Sequence, residues 1–403
     1  MSLSFQKEME ITTMGYIHGI DKVELIRECL DENPSWKQEA FSQLQNLFKY
    51  LIDINASDMD FGGPRANKKI WFRVHGEKFP DNSLSEFTAD EAIALLLSIL
   101  SDTQRKKLFQ NKNIDFAYSL HSQKHKKDFR FRGNIYFERN TLAANFRLIS
   151  QKIFKIETLG IPDQIIKRLD LEHEKSGLFL VTGITGSGKS TTLDSIIDMN
   201  NNKNRAQIIL IGNPIEYIHR SKKCIISHRQ VGEDVLSFQQ GTLESLRQDP
   251  DIIVVGQMRD ADTIKTILGV TDSGHKVFTT LHSGSSVESI YRIIAEFPPN
   301  EQDRIRYRLA DVLKVIISQK LVPTISGERT LAKEILSVNQ FVQAAIRNNN
   351  ISEIFQMITE GKTKGMFTMQ QDLYRLYKQK IITAQTAMNF ANNRKVMGRL
   401  LQY

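Results

Sequence analysis

The sequence predicts an α/β fold with a mixed α+β domain ahead of it. From residue 177 onward, short apolar strands alternate with loops and helices: "GLFLVTG", "STTLDSIIDMNN", "AQIILIG", "TLESLRQ", "DIIVVG", "DADTIKTILGVTD", "HKVFTTLH". Apolar strands separated by helices are the pattern of a parallel sheet covered on both faces. A glycine-rich run, "GITGSGKST", lies between the first of these strands and its helix. The first 150 or so residues instead mix alternating strands with amphipathic helices, and 403 residues exceed one typical domain.

Taken in order, residues 38–52 ("QEAFSQLQNLFKYLI") carry apolar residues at helical spacing, and 69–79 ("KIWFRVHGEKF") alternate as a strand entering a turn. Residues 88–110 predict one helix, opened by Thr88 as N-cap with two acidic residues behind it. The flanks of 121–132 alternate like strands, so the basic run "HSQKHKKDFRFR" is expected at a hairpin tip rather than on nucleic acid. Residues 152–169 predict a linker entering a helix at Pro162. Past Pro298 the pattern is mostly helical.

Composition narrows the class. Hydrophobic residues make up 40% and charged residues 25%, ordinary for a globular chain. No apolar run approaches the roughly 20 residues needed to span a bilayer. The N-terminus lacks a basic-then-apolar leader, so a cytoplasmic location is expected. Cys29 and Cys224 are too few for a disulfide framework or a four-cysteine zinc site. The net charge of +8 is diffuse, and no nucleic-acid partner is expected.

Gly183, Gly188, Lys189 and Ser190 satisfy G-x-x-x-x-G-K-[ST]. Glycines let the backbone turn sharply and bring its N–H groups onto phosphates, and the following helix adds the positive end of its dipole. The expected binding set is Gly183, Thr185, Gly186, Ser187, Gly188, Lys189, Ser190 and Thr191. Lys189 would reach the β- and γ-phosphates, and the Ser190 hydroxyl would ligate Mg²⁺. ATP and Mg²⁺ are the expected ligands.

Several further segments resemble one family. "LRQDPDIIVVGQMRD" (246–260), "SGHKVFTTLHS" (273–283) and "NPIEYIH" (213–219) resemble the Walker B, His-box and Asp-box signatures of secretion and pilus ATPases. "VGEDVLSF", "ISQKLVP", "AIRNNN" and "GMFTMQQDL" place the chain nearest the PilT/PilU twitching-motility group, and "NASDMDF", "FRVHGE" and "FRFRGNIYFE" resemble that group's PAS-like domain. The resemblance implies an unassigned extension at 1–37, a PAS-like domain at 38–152 and a linker at 153–170. A RecA-like P-loop ATPase core at 171–300 and a helical C-terminal region at 301–403 follow. It further implies a homo-hexamer, or a mixed ring with a paralogous ATPase. That ring would sit in the cytoplasm against an inner-membrane pilus or secretion platform protein. Arg132 and Arg147, with Arg130 nearby, match arginines that reach the γ-phosphate of a neighbouring subunit. Surface arginines on strands are the alternative. His275 and His282 match the His box, with His282 the expected γ-phosphate sensor.

The pattern breaks where the family usually reads E-D-P-I-E and G-E-M-R-D. This chain reads Gly212-Asn213-Pro214-Ile215-Glu216 and Gly256-Gln257-Met258-Arg259-Asp260. Gln257 can hydrogen-bond but cannot attract a divalent ion by charge or act as a base. A general base contributes about 10²–10⁴-fold, so hydrolysis is expected to be weakened, with Glu216 the acid left to compensate. Three readings stay open: a pilus-retraction ATPase with slow turnover, a non-hydrolysing auxiliary ring member, and a type IV secretion or conjugation ATPase.

Overall fold

The computed structural model describes residues 3–12, 17–150 and 152–402. Backbone contacts divide the chain into Met1–Gln151 and Lys152–Tyr403. The first unit carries β1 (Asp58–Gly62), β2 (Trp71–Val74), β3 (Glu77–Pro80), β4 (Asn113–Ser122), β5 (Lys127–Glu138) and β6 (Thr141–Ile149). They form one antiparallel sheet in the order β3-β2-β1-β6-β5-β4. Its helices are α1 (Gln6–Thr12), α2 (Gly19–Glu32), α3 (Pro34–Asp53), α4 (Ala89–Ser98) and α5 (Asp102–Asn111). Phe48 of α3 lies on Phe131 and against Phe146 of the sheet, with ring centres 4.5 and 5.0 Å apart.

The basic run does lie at a hairpin, with β4 and β5 joined by the turn at 123–126. Thr88 caps α4 as expected: its side chain accepts from Glu91 N (3.1 Å) while the Glu91 carboxylate accepts from Thr88 N (2.8 Å). The single helix expected over 88–110 is two, because Ser101 and Gln104 form a second reciprocal cap that restarts the chain as α5. Residues 1–37 are not a separate extension. Leu3, Phe5, Met9, Val23, Ile26 and Leu30 share one buried cluster with Leu44 and Phe48; the i, i+3, i+7 spacing in α2 makes one apolar face. Residues 1, 2 and 13–16 of that stretch lie outside the described residues.

The second unit is organised around β7 (Gly177–Thr182), β8 (Gln207–Gly212), β9 (Ile225–Gln230), β10 (Ile252–Val255), β11 (Lys276–Leu281), β12 (Leu313–Pro323) and β13 (Arg329–Ser337). Their order is β13-β12-β7-β11-β10-β8-β9, parallel throughout except for the β12–β13 pair. Every residue of β7, β10 and β11 is buried, as two covered faces require. On one face α6 (Asp163–Leu169) and α7 (Lys189–Lys203) pack through Ile165, Ile166, Leu193 and Ile196. The other face holds α8 (Phe238–Ser245), α9 (Ala261–Asp272), α10 (Ser286–Ala295), α11 (Pro299–Val312), α12 (Gln340–Arg347) and α13 (Ile354–Glu360), with Ile264, Ile267, Ile290 and Ile293 in its core. A smaller core joins α14 (Met369–Lys378), α15 (Ala384–Phe390) and α16 (Arg394–Leu401) to Val322 and Ala332.

Two expectations are corrected here. The helix expected at Pro162 is present as α6, with Pro162 as its N-cap, but residues 153–170 do not form a free linker, since Ile156, Ile161, Ile165, Ile166 and Leu169 are buried against the sheet. Residues 301–403 are not uniformly helical either, because β12 and β13 extend the sheet beyond β7. The first is rich in β-branched residues, "LKVIISQKLVP", and packs where β7 leaves an edge; the second, "RTLAKEILS", pairs with it antiparallel.

Candidate functional site

Parallel strands put their carboxyl ends on one edge of a sheet, where the connecting loops meet. The loop after β7 leads into α7 and is the phosphate-binding sequence. Its backbone needs glycine: Gly183 has φ +151° and Gly188 φ +86°. A side chain at Gly183 would run into Ser187 Oγ and the Gln319 carbonyl. No side chain caps α7, and its N-cap is Gly188 itself, so its first N–H groups are open to an anion. Lys189 is buried and its Nζ donates to the carbonyls of Gly183 (2.9 Å) and Ile184 (3.0 Å). Burial lowers its pKa, Arg259 adds to the effect and Glu216 opposes it. Ser187 Oγ is buried without a partner. Thr185, Gly186 and Ser190 are exposed, and Thr191 half-buried.

Glu216, Gln257 and His282 follow β8, β10 and β11, three neighbouring strands beside β7. The Asp-box loop leaves β8 through a cis Asn213–Pro214 bond, and Gln230 Oε1 accepts from Ile215 N (3.1 Å), fixing the backbone next to Glu216. Met258 N donates to the Thr280 carbonyl (3.1 Å) and Thr280 Oγ1 to the Gly256 carbonyl (2.6 Å), tying the backbone on both sides of Gln257 to β11. A cleft of about 420 Å³ opens beside the phosphate loop, with Thr185, Gln257, Arg259, His282, Arg292 and Glu296 among its lining residues. Arg292 Nη1 donates to the His282 carbonyl. Burial, then Lys189, Arg259 and Arg292, lower the His282 pKa. The imidazole is therefore neutral at pH 7 and able to donate from one ring nitrogen and accept at the other.

His275 stands apart. It precedes β11, at the end of that strand opposite His282, and its Nδ1 lies 3.0 Å from Ser273 Oγ. Arg132 and Arg147 belong to the first unit and face each other directly across β5 and β6. Like charges in that register repel, and carboxylates offset this: Arg132 Nη2 donates to Asp115 Oδ2 (3.1 Å), Arg147 Nε to Asp58 Oδ1 (2.8 Å). Arg130 Nη1 donates to Ser119 Oγ (2.9 Å).

Sequence reading missed Arg259, Arg292, Glu296 and Gln319. Arg259 lay inside a quoted motif without a role. Gln319 likewise lay inside the quoted "ISQKLVP" without a role, and only helix placement brings in Arg292 and Glu296. Gln319 Nε2 donates to the Ser187 carbonyl (2.8 Å), bracing the phosphate loop from β12.

The donors fit a triphosphate: free helix N–H groups, a buried ammonium and two guanidiniums. For Mg²⁺ the fit is thinner, since Ser190 and Gln257 are both neutral; such an ion would be held chiefly by the phosphates it accompanies.

A parallel sheet with this loop, and further strand ends converging beside it, defines a P-loop nucleotide-binding core of the RecA-like kind. The chain belongs to the Type II/IV secretion system protein family, whose model matches residues 39–399. It is 38% identical over 327 residues to the "Twitching motility protein" of Neisseria gonorrhoeae, covering 81% of this chain and 85% of that one. It is 31% identical to the "Type IV pilus ATPase PilU" of Pseudomonas aeruginosa, covering 89% and 92%. The crystal structure of the pilus retraction motor PilT with bound ADP superposes with a TM-score of 0.79 at 37% identity, covering 88% of this chain and 98% of that one. Among the described residues, no helix is long and apolar enough to cross a membrane.

Proposed function

We propose that this chain is an ATP-binding motor subunit of a type IV pilus retraction machine whose hydrolysis is slowed by loss of acidic groups. One observation carries the reading. The loop 183–190 keeps its turn, its open N–H groups and its lysine, while the neighbouring strand ends present Asn213 and Gln257 in place of acids. Binding and hydrolysis rest on different groups, and only the second set is altered. The twitching-motility, PilU and PilT relatives, matched over most of their lengths, support the machine assignment.

The finer reading assigns ATP and Mg²⁺ to the phosphate loop, with Ser190 on the metal and His282 donating to the γ-phosphate. Subunits would close into a hexamer, alone or mixed with an active paralogue. Arg132 and Arg147 would offer their planar forks to a neighbour's γ-phosphate. The ring would act in the cytoplasm on an inner-membrane platform protein. Asp115 and Asp58 support this role by holding both guanidiniums on one stretch of sheet.

Phosphate release and fluorescent ATP-analogue binding, each compared with Lys189→Ala, test the proposal. Slow release and binding are both expected to disappear in the variant. Binding without any Lys189-dependent release would favour the auxiliary, non-hydrolysing role; no binding would overturn both readings.

A further inference from the structure

With Gln257 neutral, a water attacking the γ-phosphate needs another proton acceptor. Two acids come into question. Glu216 follows β8 on the Asp-box loop and does not line the cleft. Glu296 does. Among the described residues it is the only carboxylate lining the cleft that also holds Thr185 of the phosphate loop, Gln257 and His282.

The fold explains how it gets there. Helix α10 starts at Ser286, whose N–H donates to the buried Glu334 carboxylate (2.8 Å). Ser289 Oγ and Ser283 Oγ, 2.6 Å apart, tie the same helix back to the loop after β11. Arg292 reaches the His282 carbonyl, and Ile293 is buried in the core that also holds Ile264 and Ile267 of α9. Glu296 follows one turn after Arg292, is exposed, and lines the cleft together with Gln257, Met258 and Arg259. Arg259 and Arg292 line the same space.

We propose that Glu296 is the catalytic base that replaces the missing strand-end acid, accepting the proton of the attacking water. The inference rests on the ATPase reading above. The water oxygen bonds to the γ-phosphorus and its proton passes to Glu296. The bond from phosphorus to the β–γ bridging oxygen breaks, and its electron pair stays on ADP. Glu296 then returns the proton to solvent.

The test measures phosphate release and nucleotide affinity on the full chain carrying Glu296→Gln, Glu296→Asp and, separately, Gln257→Glu with and without Glu296→Gln. Glu296→Gln is expected to lower Lys189-dependent release about 10²-fold with unchanged affinity and melting temperature. The fall in rate at acid pH, where a carboxylate base is protonated, should vanish with it. Glu296→Asp should keep part of the rate and the pH dependence. With Gln257→Glu present, Glu296→Gln should matter far less. A Glu296→Gln rate equal to the parent's overturns the proposal. So does absence of Lys189-dependent release in the parent, although retained ATP binding would then leave the ring-component reading standing.

Discussion

Lys276 shows how a single buried charge is accommodated. It is fully buried in β11, and its Nζ donates to the carbonyls of Arg168 (2.8 Å), Asp170 (3.3 Å) and Glu174 (2.6 Å) while lying 4.2 Å from the Phe179 ring centre. Three acceptors match the three donors of an ammonium, yet burial still brings its pKa down to about 7. In the unfolded chain the group keeps its proton to about 10.4. Between those values the unfolded state binds more protons, so stability rises with pH; below about 7 both states are protonated and the contribution is flat. Denaturant unfolding between pH 6 and 9 should show this rise, with a slope of up to ~1.4 kcal/mol per pH unit. Lys276→Met should lose that part of the slope while its other titrating groups remain. An equal slope in both proteins would remove Lys276 as the cause.

At the scale of elements, α14 illustrates docking by charge as well as apolar area. Thr368 caps it, and Asp372 is buried beside the equally buried Lys333 of β13, 3.6 Å away. Asp372 also accepts from Lys333 N (3.0 Å) and from Arg375 Nε (2.8 Å). Removing one partner strands the other charge, so Asp372→Ala should destabilise by about 3–5 kcal/mol; a loss under about 1 kcal/mol in chemical denaturation would contradict this assignment. None of it was legible from sequence, because Lys333 and Asp372 belong to separate elements. The strands β7, β10 and β11 were legible because covering on both faces leaves an unbroken apolar run. By contrast β12 and β13 were read as part of a helical region. The α4–α5 break was missed although Ser101 and Gln104 announce it, because the apolar spacing runs on across it. Of the site, the phosphate loop could be read directly since its chemistry is local. Arg292, Glu296 and Gln319 could not, being delivered by α10 and β12 from more than 90 residues downstream of the loop.

For the whole molecule, the balance between grip and cutting decides the function. A ring of such subunits could bind ATP at each P-loop and still turn it over slowly, since phosphoryl transfer depends on positioning and charge more than on any one base. Restoring both lost acids of the Asp box is not equally straightforward. A Cβ at Gly212 would approach Ile215 Cδ1 to 2.7 Å, so Gly212→Glu requires the buried Ile215 side chain to shift. Gln257 is only half-buried and meets no such obstacle. The decisive comparison is therefore Lys189-dependent phosphate release by the unaltered chain and by Gln257→Glu, at saturating Mg-ATP. A gain of about 10²-fold or more at unchanged nucleotide affinity is the expected result. Rapid release by the unaltered chain, with no gain from the added carboxylate, would contradict it.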